Sequence, residues 1–233
     1  MPPTCYADIL EAGHQRDRDF EVVIGNRENV RSCLIVAPHG GSIEPMTSEI
    51  ARAVADVSDR SFYLFLGRLA RNNWDAFHID STSFDEPDFE ILVTETELVV
   101  SFHGAQGDRG RNIYVGGLHE RGRGLMIENL NAALQRFGVV AVDAVRAKAA
   151  QSIAGVHPRN LTNRGRRGRG VQLEFSDGAR LVFFPGRSRA ERQRPNERLI
   201  VLAQSVDAVL QRLTNFSVQE GMGQALGDAE PES

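Results

Sequence analysis

The chain has 233 residues, 41% of them hydrophobic and 25% charged, and this length fits one large globular domain more easily than two small ones. Its two cysteines, Cys5 and Cys33, exclude a disulfide framework or a Cys-rich zinc knuckle, and no apolar run reaches the roughly 20 residues of a membrane helix. The net charge of -4 is unevenly distributed, because acids are frequent over 75–97 and arginines over 159–198, which favours a local basic surface facing an anion.

Segments typical of strands alternate with segments typical of helices along the chain. Short apolar runs predict strands at 33–37, 61–65, 98–102, 112–115, 139–142 and 171–175, and the apolar run at 181–184 could extend the last of them or pair with it. Helical spacing and capping residues predict helices at 47–57, 88–96, 123–137 and 196–213. Strands separated by helices indicate an α/β fold with an open, largely parallel sheet covered by helices on both faces.

The two ends of the chain carry little pattern. The N-terminal residues have neither a basic start nor an apolar run, so we expect no signal peptide and a soluble protein made in the cytoplasm. Residues 217–233 are polar and acidic without an apolar period. We therefore expect one domain over residues 1–216 and a disordered tail over 217–233.

Two histidines occupy equivalent places in the predicted sheet. His39 lies just past the strand predicted at 33–37, and His103 just past the strand predicted at 98–102. The carboxyl ends of neighbouring strands form the ligand crevice of an open α/β sheet, so two imidazoles delivered there can meet. Glycines follow both histidines and permit tight turns and close approach of the backbone. The alternative is that each is an ordinary turn or core residue.

A carboxylate follows the first histidine closely. Glu44 lies five residues after His39, across a Gly-Gly turn that can fold the loop back onto the imidazole. Two histidines and one carboxylate are a common catalytic zinc set that leaves a fourth position for water, so His39, Glu44 and His103 are the candidate zinc ligands. Glu44 could instead be a surface acid ahead of Pro45.

A general base that is not a metal ligand is also needed for hydrolysis, and Glu174 is the best candidate. It lies in an otherwise apolar strand, where the period of two places it on the same face as Gln172. A carboxylate in such a place can take a proton from water and return it to a leaving amine. Its alternative role is on the solvated face of an edge strand.

At these residues the sequence resembles the phage-type poly-γ-glutamate hydrolase family, whose fold is similar to that of zinc carboxypeptidases. The matching segments run in family order from about residue 20 to 213. They are APHGGSIEP at 37–45, TSEI at 47–50, HIDSTSFDEP at 78–87, VSFHG at 100–104, YVGG at 114–117, NLTNRG at 160–165 and GVQLEFS at 170–176.

The resemblance implies Zn²⁺ on His39, Glu44 and His103, Glu174 as general base, and hydrolysis of γ-linked amides between glutamate units. An anionic γ-glutamyl polymer or peptide would then be the partner, which suits positive charge near the site. The residues expected to contact substrate are Asn163 and Arg164, by analogy with the carboxylate-binding pair of carboxypeptidases, then Arg109, Arg111 and Arg180, with His78 shaping the pocket. Other peptide or γ-glutamyl amide substrates remain open, and phage lysis is one route of release.

Two rival functions come from other classes. The Arg-Gly run at 164–170 could bind nucleic acid as a basic loop without catalysis. The negative net charge and the lack of interleaved aromatic residues argue against it, so we expect neither nucleic-acid nor membrane partners. A serine hydrolase would need a Gly-x-Ser-x-Gly elbow, which is absent. The oligomeric state and the endo or exo mode of cleavage are left open.

Overall fold

The computed structural model describes residues 1–227, without the side chains of 148, 149, 151 and 216–227. Seven strands form one sheet: β1 Phe20–Gly25, β2 Cys33–Gly41, β3 Ser61–Gly67, β4 Leu98–Ala105, β5 Asn112–Gly116, β6 Val140–Asp143 and β7 Val171–Ser176. The helices are α1 Tyr6–Glu11, α2 Thr47–Ser58, α3 Asn73–Phe77, α4 Pro87–Glu95, α5 Glu120–Leu134, α6 Asp177–Arg180, α7 Arg189–Arg192 and α8 Arg198–Gly227. Short 3-10 turns lie at Arg27–Asn29, Gln135–Phe137, Lys148–Ile153 and Leu161–Asn163.

The sheet is open and mixed, with the strand order β1-β3-β2-β4-β7-β5-β6. Strands β3, β2, β4 and β7 are parallel neighbours in the middle, while β1 and β5 join them in antiparallel orientation. Helices cover both faces, as a parallel sheet requires. The predicted fold class, one α/β domain with a largely parallel sheet, is therefore confirmed.

Two apolar layers hold the sheet. The larger one lies under α2, α5 and α8, where α8 packs against both of the others. The smaller one, on the opposite face, is rich in aromatic side chains such as Phe65 and Phe84. The central strands are buried on both faces, so the carboxyl ends of β2, β4 and β7 are fixed rigidly relative to one another.

Several boundaries differ from the sequence-based expectations. The run at 181–184 is not a strand: it follows α6 as a turn, and Phe183 is buried in the larger apolar layer. Its apolar character reflects packing rather than pairing. Strands β2 and β4 run to Gly41 and Ala105, so His39 and His103 lie within the ends of these strands rather than just past them.

The predicted final helix is present and extends beyond its expected end. Helix α8 continues to Gly227, past the expected boundary at residue 216, and residues 228–233 lie outside the described part of the chain. The boundary between a domain and a tail thus stays a prediction. Within residues 1–227, no helix combines the length and the apolar character needed to cross a membrane.

Candidate metal and catalytic centre

His39 is placed by an irregularity in β2. The pairing of β2 with β3 shifts register between Ala37 and Gly40, and Pro38 in this stretch has no backbone N–H to give to the ladder. Such bulges redirect side chains at the edges of active sites. The His39 Nε2 atom lies 2.7 Å from the carbonyl oxygen of Ile79 and must donate to it, because a carbonyl oxygen only accepts. The lone pair of the neutral ring is therefore on Nδ1.

Glu44 is returned to His39 by the turn that the sequence predicts. Gly41 has a φ of +66°, and a Cβ there would lie 2.5 Å from the carbonyl oxygen of Gly67. The Glu44 carboxylate is buried, accepts a hydrogen bond from the Gly104 N–H at 2.8 Å through Oε2, and places Oε1 3.2 Å from His39 Nδ1. The alternative of a surface acid is thus wrong.

His103 completes a convergent set of acceptor atoms. Its Nδ1 lies 3.3 Å from His39 Nδ1 and 3.9 Å from Glu44 Oε2, while its buried Nε2 has no hydrogen-bond partner among the described residues. Burial lowers the pKa of His103 to about 3, so the ring is neutral at pH 7. With its proton on Nδ1 the His103 ring donates to His39 Nδ1, and with its proton on Nε2 it leaves Nδ1 free to bind a cation together with His39 and Glu44.

The charge state of Glu44 agrees with a cation site. Burial opposes its ionisation, but positive charge at His39, His78 and His103 lowers the pKa of the Glu44 carboxyl well below its usual range. A metal ion held between neutral rings would supply the same positive charge. A buried carboxylate that stays ionised requires a positive partner. The donor set of imidazole nitrogens and carboxylate oxygens therefore fits a bound metal ion.

His78 lies at the mouth of this site. Its ring stacks between Trp74 and His39, at centroid distances of 3.6 and 4.0 Å. Its Nε2 is 3.6 Å from Glu44 Oε1, and donor atoms of His39, Glu44 and His78 all lie within 4.8 Å of one another. The geometry thus offers His78 as well as His103 to a metal held by His39 and Glu44. His103 is the more deeply buried of the two.

Glu174 faces the same centre from the next strand. It is the register partner of His103 in the parallel β4–β7 pair, and β7 is a central strand rather than an edge strand. The side chain is buried. Burial, together with the nearby Glu44 carboxylate, raises the pKa of the Glu174 carboxyl well above its usual value. A carboxyl with a raised pKa is suited to exchange protons near neutral pH.

Gln172 holds the Glu174 carboxyl in place. Its Nε2 donates to Glu174 Oε1 at 2.8 Å and to the carbonyl oxygen of Ile153 at 3.1 Å. Its Oε1 accepts from Asn160 Nδ2 at 3.1 Å. The Gln172 amide is thus anchored on three sides, and a Cβ at Gly155 would lie 2.6 Å from its Oε1.

The centre opens into a cavity of about 460 Å³. It is lined by side chains of the centre, including His39, Glu44, His103 and Glu174, and by the loop at 152–157, which forms one of its walls. Asn163 does not line it but supports this wall, because its Nδ2 donates to the carbonyl oxygens of Gly155 and His157. The volume suits a segment of a small peptide.

The predicted substrate-binding arginines are divided by the fold. Arg180 lines a smaller cavity of about 280 Å³, which shares Glu44 and Gly104 with the main one. Arg164 instead pairs with Glu90, and Arg111 donates to the carbonyl oxygen of Phe137. Neither these two nor Arg109 lines either cavity.

Sequence reasoning missed some of the centre. It placed Gln172 on the face of Glu174 without a role, and it did not include Asn160 or the loop at 152–157. The mid-strand Gln beside an acid is a usable signal, because a buried polar pair must hydrogen-bond. The loop has no comparable signal, since its place depends on the crossover that returns the chain to β7.

The segments that build this centre also match a known protein family. The model of the poly-gamma-glutamate hydrolase family matches residues 6–208. The chain belongs to this family. The resemblance that the motifs carry is thus confirmed, and the chain is a hydrolase.

Individual relatives agree with the family. YmaC, a UPF0714 protein of Bacillus subtilis (strain 168), is 34% identical over 183 residues, which are 78% of this chain and 73% of YmaC. YndL of the same organism is 35% identical over 180 residues, or 77% of this chain and 66% of YndL.

Two solved structures share the fold over nearly their whole length. The bacteriophage poly-gamma-glutamate hydrolase gives a TM-score of 0.80 at 29% identity, covering 92% of this chain and 98% of that one. A zinc-free apo structure of YndL gives 0.77 at 31% identity, covering 90% and 96%.

Proposed function

We propose that this chain is a zinc-dependent amidohydrolase that cleaves γ-glutamyl amide bonds, with poly-γ-glutamate as the substrate. The observation that supports it most is the set of buried nitrogen and oxygen atoms of His39, Glu44 and His103, which lie within 3.2–3.9 Å of one another and suit a bound cation. A relative named as a bacteriophage poly-gamma-glutamate hydrolase supports the substrate, and a structure of YndL described as zinc-free supports the metal.

The spacing of the donors suits zinc. Ligand atoms at about 2.0–2.1 Å from a tetrahedral zinc lie roughly 3.3 Å apart. His39 Nδ1 lies 3.2 Å from Glu44 Oε1 and 3.3 Å from His103 Nδ1, which is close to this value, while His103 Nδ1 lies 3.9 Å from the other carboxylate oxygen, Oε2. His39, Glu44 and His103 would hold the zinc, which would polarise the scissile carbonyl of the substrate and lower the pKa of a water molecule.

The protein's own groups carry the proton transfers. Glu174 accepts the proton of the attacking water and then delivers it to the nitrogen of the leaving amine. Gln172 fixes the orientation of the Glu174 carboxyl by its hydrogen bond to Oε1. His39 is held in one tautomer by Ile79, which keeps its Nδ1 directed at the centre.

Charge around the centre suits an anionic substrate. Arg180 is buried in the wall of the adjoining small cavity, where it contacts the carbonyl oxygen of Pro45 and the carboxylate of Asp177. A guanidinium there stabilises negative charge that develops on the substrate and attracts the carboxylates of a γ-glutamyl chain.

The test is hydrolysis of purified poly-γ-glutamate, followed by the fall in polymer length and the release of new amino groups. We expect about one zinc per chain by plasma mass spectrometry, loss of activity after chelation, and recovery when zinc is restored. Poly-α-glutamate is the matched control for the bond type. A protein that holds zinc but leaves poly-γ-glutamate intact would refute the substrate, and one that hydrolyses it without metal would refute the mechanism.

A further inference from the structure

A second cavity, larger than the one at the catalytic centre, lies elsewhere on the domain. It has a volume of about 740 Å³ and lies between α2, the end of β3 and the segment around α7. Its floor is apolar, with Leu64, Leu66 and Leu69 among the lining residues. A cavity of this size and character is of the kind that binds ligands, and the proposed chemistry makes no use of it.

Arginines dominate the polar lining of this cavity. Five of them, Arg52, Arg68, Arg187, Arg189 and Arg192, line it together with two acids, Glu49 and Asp56. Arg192 is buried and bonds the carbonyl oxygen of Gly41, while its Nε has no partner among residues 1–227. The excess of positive charge over a partly apolar surface favours an anion that also carries methylene groups.

The pairing of these arginines differs within the cavity. Arg52, Arg68 and Arg192 form ion pairs with Asp56, Glu21 and Glu49, respectively. Arg187 and Arg189 are exposed, and Arg189 forms no ion pair with any described residue. Both belong to the segment whose short helix α7 is fixed by a capping box between Ser188 and Glu191. Arg187 lies 3.3 Å from Asp177 in an exposed ion pair, so this segment presents one weakly paired guanidinium group and one, that of Arg189, without an ion pair to any described residue.

This cavity lies near the catalytic centre, because a small cavity between them shares lining residues with both. Glu44 and Gly104 line both the catalytic cavity and the small cavity of Arg180, and Pro45 lines both the small cavity and the large one. Asp177 joins the two basic groups, because its carboxylate binds Arg180 through one oxygen and lies 3.3 Å from Arg187 through the other. The three cavities thus form a row past Pro45.

We infer that the arginine-lined cavity binds a distal segment of the same γ-glutamyl polymer whose amide is cleaved at Glu174. Each γ-glutamyl unit carries one carboxylate for a guanidinium and methylene groups for the leucine floor. This assignment rests on the proposed function. It makes Arg187 and Arg189 determinants of the preference for long chains, at a distance from the bond that breaks.

The experiment compares the double variant Arg187→Gln/Arg189→Gln with the wild type and with Arg27→Gln/Arg31→Gln. The control removes the same charge at exposed arginines that line none of the three cavities. Affinity for fluorescein-labelled poly-γ-glutamate is measured by anisotropy in the Glu174→Gln background, which prevents cleavage. KM is measured in the active background for γ-glutamyl chains of increasing length.

We expect the affinity of the cavity variant for the polymer to fall about three- to tenfold, as two exposed ion pairs allow. The ratio of its KM to that of the wild type rises with chain length, and the control stays close to the wild type. An equal loss in both double variants, or a KM ratio independent of length, would overturn the distal site. If the wild type binds the polymer through these arginines but does not hydrolyse it, the cleavage proposal fails while the cavity assignment stands.

Discussion

Polar groups at the two ends of the central strands differ in how far they are paired with groups of opposite charge. At the carboxyl end, buried nitrogen and oxygen atoms of His39, Glu44 and His103 face one another, and the pKa of Glu174 is raised. At the amino end, the loop that leads into β7 carries an arginine run whose charges are largely matched. Arg164 pairs with Glu90, Arg166 and Arg167 with Glu97, and Arg167 also donates to the carbonyl oxygen of Leu213.

This difference distinguishes groups that stabilise the fold from groups that are available for binding or catalysis. Groups that are matched within the fold contribute to stability and have little left for a ligand, whereas groups held unmatched cost stability and are kept for binding or catalysis. The Arg-Gly run at 164–170 is thus fastened to the domain at several points, which argues against a free basic loop that binds nucleic acid. Changes at the carboxyl end should alter activity, and changes at the amino end should alter stability.

Removal of a metal ligand should have the largest effect. In His103→Ala we expect zinc to fall well below one per chain and hydrolysis to be lost, because the remaining His39 and Glu44 give an incomplete set. In His78→Ala we expect zinc to be retained with reduced activity, since His78 is the less buried ring and stacks on Trp74. The measurement is zinc content after dialysis.

The pair of variants also tests the assignment itself. If His78→Ala loses zinc and His103→Ala keeps it, the third ligand is His78, whose donor atom lies within the same group as those of His39 and Glu44. If neither variant loses zinc, the metal does not bind at this end of the sheet.

Replacement of the proposed general base, Glu174, should have the next largest effect. Glu174→Gln keeps the shape of the side chain but cannot accept a proton, so kcat should fall by about 10²- to 10⁴-fold while zinc content is unchanged. Substantial turnover by this variant would exclude Glu174 as the base.

The same variant has a defined effect on stability. Because burial and Glu44 raise the pKa of Glu174, its ionised form is disfavoured in the folded state. The unfolding free energy of the metal-free wild type should therefore decrease as the pH rises from about 4.3, the unfolded-state value, towards the raised pKa. Glu174→Gln should lack this part of the decrease, as measured by urea denaturation at several pH values.

Loss of the positioning amide should have an intermediate effect. Gln172→Met preserves volume but removes the hydrogen bond to Glu174 Oε1, so we expect kcat to fall about 10- to 100-fold with a smaller change in KM. Ser101→Ala is the matched control, because Ser101 is the register partner of Gln172 and its hydroxyl has no partner among the described residues. A raised KM with unchanged kcat would mean that Gln172 supports only the loop at 152–157.

Much of the fold was predictable because apolar periodicity reports burial directly. The runs at 33–37, 98–102 and 171–175 are the cores of β2, β4 and β7. The run at 181–184 was misread because a turn packed against the core shows the same local pattern as a strand. Strand β1 and helix α3 were not predicted. Strand β1 depends on its pairing with β3, which is distant in the sequence, and α3 has only 5 residues.

The centre was predictable to the extent that strand ends define it. The order of parallel strands brings the polar residues after β2 and β4 to one edge, which placed His39 and His103 together. The analogy with carboxypeptidases predicts that Arg164 contacts the substrate, but its side chain pairs with Glu90 at the other end of the sheet. The direction of a side chain in a loop depends on its acid partner, and the partner of Arg164 is 74 positions away in the sequence.

The smallest effect is expected from a substitution at the amino end of the central strands. Glu97→Gln removes the partner of Arg166 and Arg167, at 3.5 and 3.7 Å, and leaves two guanidinium groups unmatched. These pairs are partly exposed, so the unfolding free energy should fall by no more than about 1 kcal/mol, with kcat and zinc content unchanged. Glu95→Gln, which removes an exposed acid from the end of α4, is the control for charge alone. A loss of activity in Glu97→Gln at full stability would show that the two ends of the strands are coupled, and the division between matched and unmatched groups would then fail as a guide to function.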